Sequence, residues 1–139
     1  MYRSIAALAL AIAAVALQAQ AAEPTQLRLA STTVPASKVN VWGLAPWSED
    51  VKKASGDTVE IKLYFNNSIA NPENVYDRTL QGVADISFGI MGPFYDIFPR
   101  TMVAGLPFEA SNDTETSVAL SRLFERKLIS EEFSKVKVL

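Results

Sequence analysis

The sequence predicts an α/β domain with a largely parallel sheet flanked by helices, on two observations. Segments with a two-residue hydrophobic repeat alternate with segments of helical repeat, and the connections between them are short. That order is the signature of a sheet whose strands run side by side in one direction, each crossover filled by a helix.

The first twenty-one residues stand apart from the domain. Arg3 gives a positive start, Ile5 to Leu17 is an unbroken apolar run, and Ala19-Gln20-Ala21 puts small residues at a cleavage point. This is the three-part pattern of a secretory signal, with cleavage expected after Ala21. The run is too short for a spanning helix, which needs roughly 20 apolar residues. Residues 22–139 then form the domain, and the chain is expected in the periplasm.

Leu27, Leu29 and Ser31 alternate with Gln26, Arg28 and Ala30 and predict the first strand. After the loop Thr32-Thr33-Val34-Pro35, Ser37 is placed to cap a helix carrying Val41, Leu44, Trp47 and Val51. Pro46 should bend it or begin a new turn. Lys52 and Lys53 suit its last turn and Gly56 its stop. Trp42 and Trp47 are expected in the core. Val59, Ile61, Leu63 and Phe65 alternate with polar neighbours as the second strand, ended by Asn66-Asn67-Ser68.

Asn71-Pro72 reads as a cap with proline in the first turn. The helix behind it carries Val75, Tyr76, Thr79, Leu80 and Val83 on one face and stops at Gly82. Ile86 to Ile90 is a short buried strand, turned by Gly92-Pro93. Thr101 to Phe108 is expected to be extended, closed by Pro107. Asn112 and Glu115 have capping-box spacing, ahead of a helix packing Ser117, Leu120, Leu123, Phe124 and Leu128. Asp113 and Glu115 suit a helix start, where acids face the positive end of the dipole. Glu131-Glu132-Phe133 belongs to a turn or short helix, with both acids on a solvated surface. Val136 to Leu139 has a strand pattern.

The 139 residues carry 13 basic and 15 acidic side chains, a net charge of −2, with no nucleic-acid footprint. There is no Cys and no His. Thiol nucleophiles, Ser-His and Cys-His pairs and histidine metal sites are excluded, and with them most enzyme chemistry near neutral pH. The chain is expected to be no enzyme and to use neither cofactor nor metal.

Ligands of parallel sheets bind beyond the carboxyl ends of the strands. That rule nominates four loops: Thr32 and Thr33 after the first strand, Asn66 and Asn67 after the second, Ile90, Met91, Gly92, Phe94 and Tyr95 after the third, and Phe108. The threonine hydroxyls either donate to a carboxylate or bond their own turn. Met91, Phe94 and Tyr95 either wall an apolar cleft or pack internally.

Several short motifs are shared with one family. Trp42, Pro46-Trp47, Val51 and Ala54-Ser55-Gly56 come first. Tyr76-Asp77 with Gly82-Val83-Ala84-Asp85-Ile86, then Phe98-Pro99 with Leu106-Pro107-Phe108, and finally Glu132-Phe133 with Val136-Lys137-Val138-Leu139 follow in order. Together they resemble the solute receptors of TRAP transporters. The resemblance implies the first lobe of a two-lobed periplasmic binding protein, truncated before the second lobe. It implies a small organic acid as solute, delivered to the membrane subunits of a TRAP transporter. It also implies that the family's carboxylate-binding arginine falls after Leu139, since Arg78, Arg100, Arg122 and Arg126 match no such position. Pro72 and Ile90 stand where sialic-acid receptors of the family carry acids, which favours a smaller or more apolar solute than a polyhydroxylated sugar acid.

Overall fold

The structure, a computed structural model, describes residues 23–107 and 112–139. The expected export signal and Phe108 lie outside the described residues. Three parallel strands form one sheet: β1 (Thr25–Ser31), β2 (Val59–Tyr64) and β3 (Ile86–Phe88), in the order β2-β1-β3. The register sets Leu27 beside Ile61, and Leu29 beside both Leu63 and Ile86. The central strand is covered on both faces: Leu29 is 0% exposed and Ala30 1%, as a parallel sheet between helices requires.

The crossover from β1 to β2 is helical. A five-residue π-helical turn, Asn40–Leu44, leads directly into helix α1, Ala45–Ala54, with Pro46 in its first turn. Pro46, which has no amide to donate, falls where the π-helical turn gives way to the α-helix, and the helical run passes through it without a break. Gly56 adopts φ +63° just past the helix, where only glycine avoids the Cβ penalty. Leu27 and Leu29 on one face of β1 share a groove with Leu44 and Trp47.

The other face carries the core, in which Ala30 meets Ala70, Val75, Ala84, Phe94 and Phe98. Helix α2 (Val75–Leu80) starts later than Asn71-Pro72 suggests. The Asn71 side chain instead caps the preceding turn, accepting from the amides of Glu73 and Asn74 at 3.1 and 3.0 Å. The capping expected at Asn112 is present: its Oδ1 accepts from the Glu115 amide at 3.0 Å and opens helix α3 (Asp113–Glu125). Leu120, Leu123 and Phe124 are half-buried on α3, whereas Ser117 and Leu128 are exposed.

Four expectations fail, each for a physical reason. The described part of the segment expected to be extended is not: Thr101–Gly105 is a 3₁₀ helix, and the chain straightens only at Leu106. The Glu132 carboxylate turns it, accepting from the amides of Arg100 and Thr101 at 2.6 and 3.0 Å and from the Thr101 hydroxyl at 2.6 Å. Glu132 is therefore a cap and no free surface acid. Glu131 does stay in solvent, 3.7 Å from the Arg100 guanidinium.

Val136–Leu139 is irregular rather than a strand, since it makes no ladder with any strand among the described residues. Strand propensity without a hydrogen-bonded neighbour stabilises nothing. Trp42 is 80% exposed instead of buried. It lies two positions before Leu44, about 200° around a helix, so it points away from the sheet that Leu44 approaches.

An aromatic chain closes the core. Tyr76 meets Phe98 edge-on at 5.1 Å, Phe98 stacks on Phe133 at 4.8 Å, and Phe133 meets Phe124 at 5.8 Å. These contacts tie α2, the segment after β3, the 3₁₀ turn Ser130–Phe133 and α3 into one body. Among the described residues no helix is long and apolar enough to cross a membrane.

Candidate functional site

Because the strands are parallel, the loops that follow them gather at one end of the sheet. The Thr32 amide donates to the Phe88 carbonyl at 3.2 Å, continuing the β1–β3 pairing one step past the strands. Gly89 sits against this contact: a Cβ there would lie 3.1 Å from Val75 Cγ1 and 3.5 Å from Thr32 Cγ2. The absence of a side chain lets the chain after β3 pack close against Val75, whereas Thr32 would be met only in ordinary contact. Asn66 and Asn67, after β2, adopt φ +54° and +60° and make a tight left-handed turn, a conformation asparagine tolerates better than most residues.

Thr33 belongs to a hydroxyl cluster that sequence patterns do not disclose as a unit. Ser31, buried at the end of β1, donates through Oγ to Asn40 Oδ1 at 2.8 Å. Asn40 is 1% exposed and donates through Nδ2 to Thr33 Oγ1 at 2.9 Å and to the Val34 carbonyl at 2.7 Å. Thr33 Oγ1 lies 3.0 Å from both Ser31 Oγ and Ser37 Oγ. Every buried polar side-chain atom among the described residues has a partner, so the cluster is fully satisfied. The only hint in the sequence is the density of hydroxyls between Ser31 and Ser37 with an asparagine three residues on.

The loop after β3 divides between surface and core. Ile90 and Tyr95 are exposed, while Met91 is half-buried against the core cluster. Gly92 opens a single 3₁₀ turn with Pro93. Phe94 is 6% exposed and packs 6.2 Å from Tyr76 and 6.5 Å from Phe98, so its ring serves the core. The structure thus brings the loops of Thr32-Thr33, Asn66-Asn67 and Ile90–Tyr95 to one end, and assigns Phe94 to packing there.

Two charged groups that look functional are structural. Asp85 precedes β3 at the opposite end of that strand. It accepts from the Arg28 amide at 2.8 Å and from its guanidinium at 2.9 and 3.1 Å, while Arg28 Nη2 also donates to the Gly82 carbonyl at 2.7 Å. The Arg28 guanidinium and then its amide hold the Asp85 carboxyl below the ordinary aspartate range. At Glu132, burial pushes the carboxyl up. The Thr101 hydroxyl, the Arg100 and Thr101 amides and the Arg100 charge together outweigh that and hold it below the usual glutamate range. Neither acid is poised for proton transfer near neutral pH. The described residues contain no cluster of acids able to hold a metal.

A groove of about 970 Å³ runs along the outer edge of β3, from Leu44 and Trp47 past Ile86 and Phe88 to Val136 and Val138. It reaches Gly89, Ile90 and Met91 at one end, but does not centre on the hydroxyl cluster. What the strand-end loops offer is a set of uncharged donors beside exposed apolar side chains. Such a surface can hold a small solute by hydrogen bonds and apolar contact.

Comparison with known proteins gives the family. The profile of the bacterial extracellular solute-binding proteins, family 7 (DctP), matches residues 30–139. A curated relative, "Outer membrane transporter protein TsaT" of Comamonas testosteroni, is 29% identical over 129 residues, covering 92% of this chain and 38% of its own. A TRAP solute-binding protein from Rhodoferax ferrireducens, solved in complex with copurified benzoate, is 29% identical with a TM-score of 0.75, covering 83% of this chain and 36% of its own. A TRAP periplasmic solute-binding protein from Bordetella bronchiseptica, with bound (R)- and (S)-mandelate, is 29% identical with a TM-score of 0.71, over 84% of this chain and 37% of its own. The chain spans between 36% and 38% of the length of these relatives. Its three-stranded parallel sheet corresponds to their first lobe, and the chain belongs to family 7 of the bacterial extracellular solute-binding proteins, the DctP family.

Proposed function

We propose that residues 22–139 are the amino-terminal lobe of a periplasmic receptor that captures a small organic acid for a TRAP transporter, and that residues 1–21 are its export signal. The family is one of solute-binding receptors rather than enzymes. The observation that carries the reading is that the loop of uncharged donors Thr32, Thr33 and Ser37 and the loop of exposed Ile90 and Tyr95 follow adjacent parallel strands and so leave the sheet at the same end. An aromatic monocarboxylate suits that surface: hydroxyls and backbone amides meet the carboxylate, and the apolar side chains meet the ring. The benzoate and mandelate of the two solved relatives are acids of this kind. The membrane subunits of the transporter are the receiving partner in this reading.

A single lobe covers one side of a solute and leaves the other in water. Affinity of the chain by itself is expected at about 1 mM or weaker, near −4 kcal/mol. Amide shifts of the 139-residue chain on titration with sodium benzoate test the assignment. Shifts confined to the neighbourhoods of Thr32–Ser37, Asn66-Asn67 and Gly89–Tyr95 are expected. Shifts clustered instead around Asp57 and Asp85, at the other end of the sheet, would overturn it.

A further inference from the structure

We propose that Asn40 is a positioning residue that sets the direction of a hydroxyl relay, Ser31–Thr33–Ser37, and so leaves the Ser37 proton available to the carboxylate of the solute. The inference rests on the carboxylate-receptor reading above and adds to it which hydroxyl donates and why.

The direction follows from donor and acceptor chemistry. The Val34 carbonyl can only accept, so the Asn40 atom 2.7 Å from it is the amide nitrogen. That fixes the side-chain orientation by hydrogen-bond chemistry alone. The other atom is then an oxygen, and it can only accept, so Ser31 spends its single proton on Asn40 Oδ1 across 2.8 Å. Asn40 Nδ2 also donates to Thr33 Oγ1 at 2.9 Å, so Thr33 must place its own proton elsewhere.

Two neighbours can receive it, Ser31 Oγ and Ser37 Oγ, each at 3.0 Å. When Thr33 donates to Ser31, the Ser37 hydroxyl turns inward to Thr33. When Thr33 donates to Ser37, the Ser37 proton has no inward acceptor left and turns outward. An anion arriving at the loop end selects the second arrangement. No heavy atom moves: one hydroxyl rotor turns on Thr33 and one on Ser37, so donors are supplied without reorganising the loop.

The placement of Asn40 supports this role. Its side chain is almost wholly buried, yet it spends all three hydrogen bonds on the single loop that follows β1. It opens the π-helical turn Asn40–Leu44, an element rare in helices and concentrated at functional sites. Ser37, by contrast, is only half-buried at the start of that turn.

Two variants of the 139-residue chain test the proposal, each titrated with sodium benzoate and with neutral benzyl alcohol while amide shifts are followed. Asn40→Asp keeps the shape and the acceptor for Ser31. It removes the donor to Thr33 and to the Val34 carbonyl and draws the Thr33 proton inward. Ser37→Ala removes the terminal donor and leaves the buried pair intact, so it keeps a test available should the buried charge unfold the first variant. Benzoate affinity should fall about tenfold in each, the scale of one hydrogen bond to a charged group. Benzyl alcohol affinity should change less than about twofold, because a neutral solute does not need the outward proton. Equal weakening of both solutes would mark Asn40 as merely structural and overturn the proposal, as would unchanged benzoate binding in Ser37→Ala. No benzoate response in the unmodified chain would overturn the carboxylate-receptor reading and the proposal together, whereas a response that the variants leave unaltered overturns the proposal alone.

Discussion

Replacing Glu132 by alanine should cost this chain a large share of its stability, because one carboxylate caps a whole segment. Glu132 accepts from the Thr101 amide at 3.0 Å, from the Thr101 hydroxyl at 2.6 Å and from the Arg100 amide at 2.6 Å. Thr101 is buried, so its two donors would be left without a partner. Each such loss costs about 1–1.5 kcal/mol once half-exposure of the acceptor is allowed for, and the exposed Arg100 amide adds little since water replaces the carboxylate there. The expected loss for Glu132→Ala is about 2–3 kcal/mol, against a total of about 5–15 kcal/mol for an ordinary domain. Glu132→Gln retains one acceptor oxygen and should lose about half as much.

The pH dependence has a definite sign. The folded carboxyl titrates below its ordinary value, so its contribution is present above the unfolded pKa and is lost as pH falls through the folded one. Urea unfolding followed by tryptophan fluorescence at neutral and acidic pH measures both effects, with the midpoint expected to drop by about 2 M in urea at neutral pH. The variants should also destabilise less steeply on acidification than the unmodified chain. A Glu132→Ala chain within about 0.5 kcal/mol of the original, or one with the same acid dependence, would refute the capping role.

Three further outcomes are expected. Gly89→Ala should displace the Val75 side chain, given the 3.1 Å approach of a Cβ to its Cγ1; amide shifts at Val75 and Tyr76 would report it, and an unperturbed spectrum would contradict the close packing. Phe98→Ala should cost about 3–5 kcal/mol, the usual range for a buried phenylalanine, since Phe98 is 3% exposed and touches Tyr76, Phe94 and Phe133; a loss under about 1 kcal/mol by urea unfolding would show the aromatic chain to be incidental. Amino-terminal sequencing of the chain recovered from a periplasmic fraction should begin at Ala22, and soluble cytoplasmic protein retaining Met1 would refute export.

What was legible in the sequence was local. Alternation in Leu27–Ser31 and Val59–Tyr64 marks two strands because a two-residue period places successive side chains on opposite faces. Gly56, Gly82 and Asn112 mark element ends through backbone freedom and side-chain capping, both of which act within a few residues. The loops nominated for binding follow from parallel topology alone, and that topology is observed.

What was not legible depends on partners far along the chain. Glu132 lies 31 residues from Thr101, and nothing in Glu131-Glu132 distinguishes a cap from a solvated acid. Val136–Leu139 has strand composition but pairs with no strand among the described residues, and pairing is what makes a strand. Trp42 and Trp47 are five positions apart, which is no helical repeat, so one side chain faces solvent while the other lines a groove. Asn40 was missed because a lone asparagine at a helix start carries no pattern. Its role appears only once folding has gathered Ser31, Thr33 and Ser37 around it.

The receptor reading is tested most directly by completing the second lobe. A chimera would join residues 22–139 to the segment that follows the matching region in the benzoate-bound Rhodoferax ferrireducens relative. Calorimetric titration of that chimera with benzoate should give a dissociation constant of about 1 µM or tighter, near −8 kcal/mol, compared with about 1 mM or weaker for the 139-residue chain. A cooperatively folded chimera that binds neither benzoate nor mandelate would contradict the assignment of this chain as the first lobe of an organic-acid receptor.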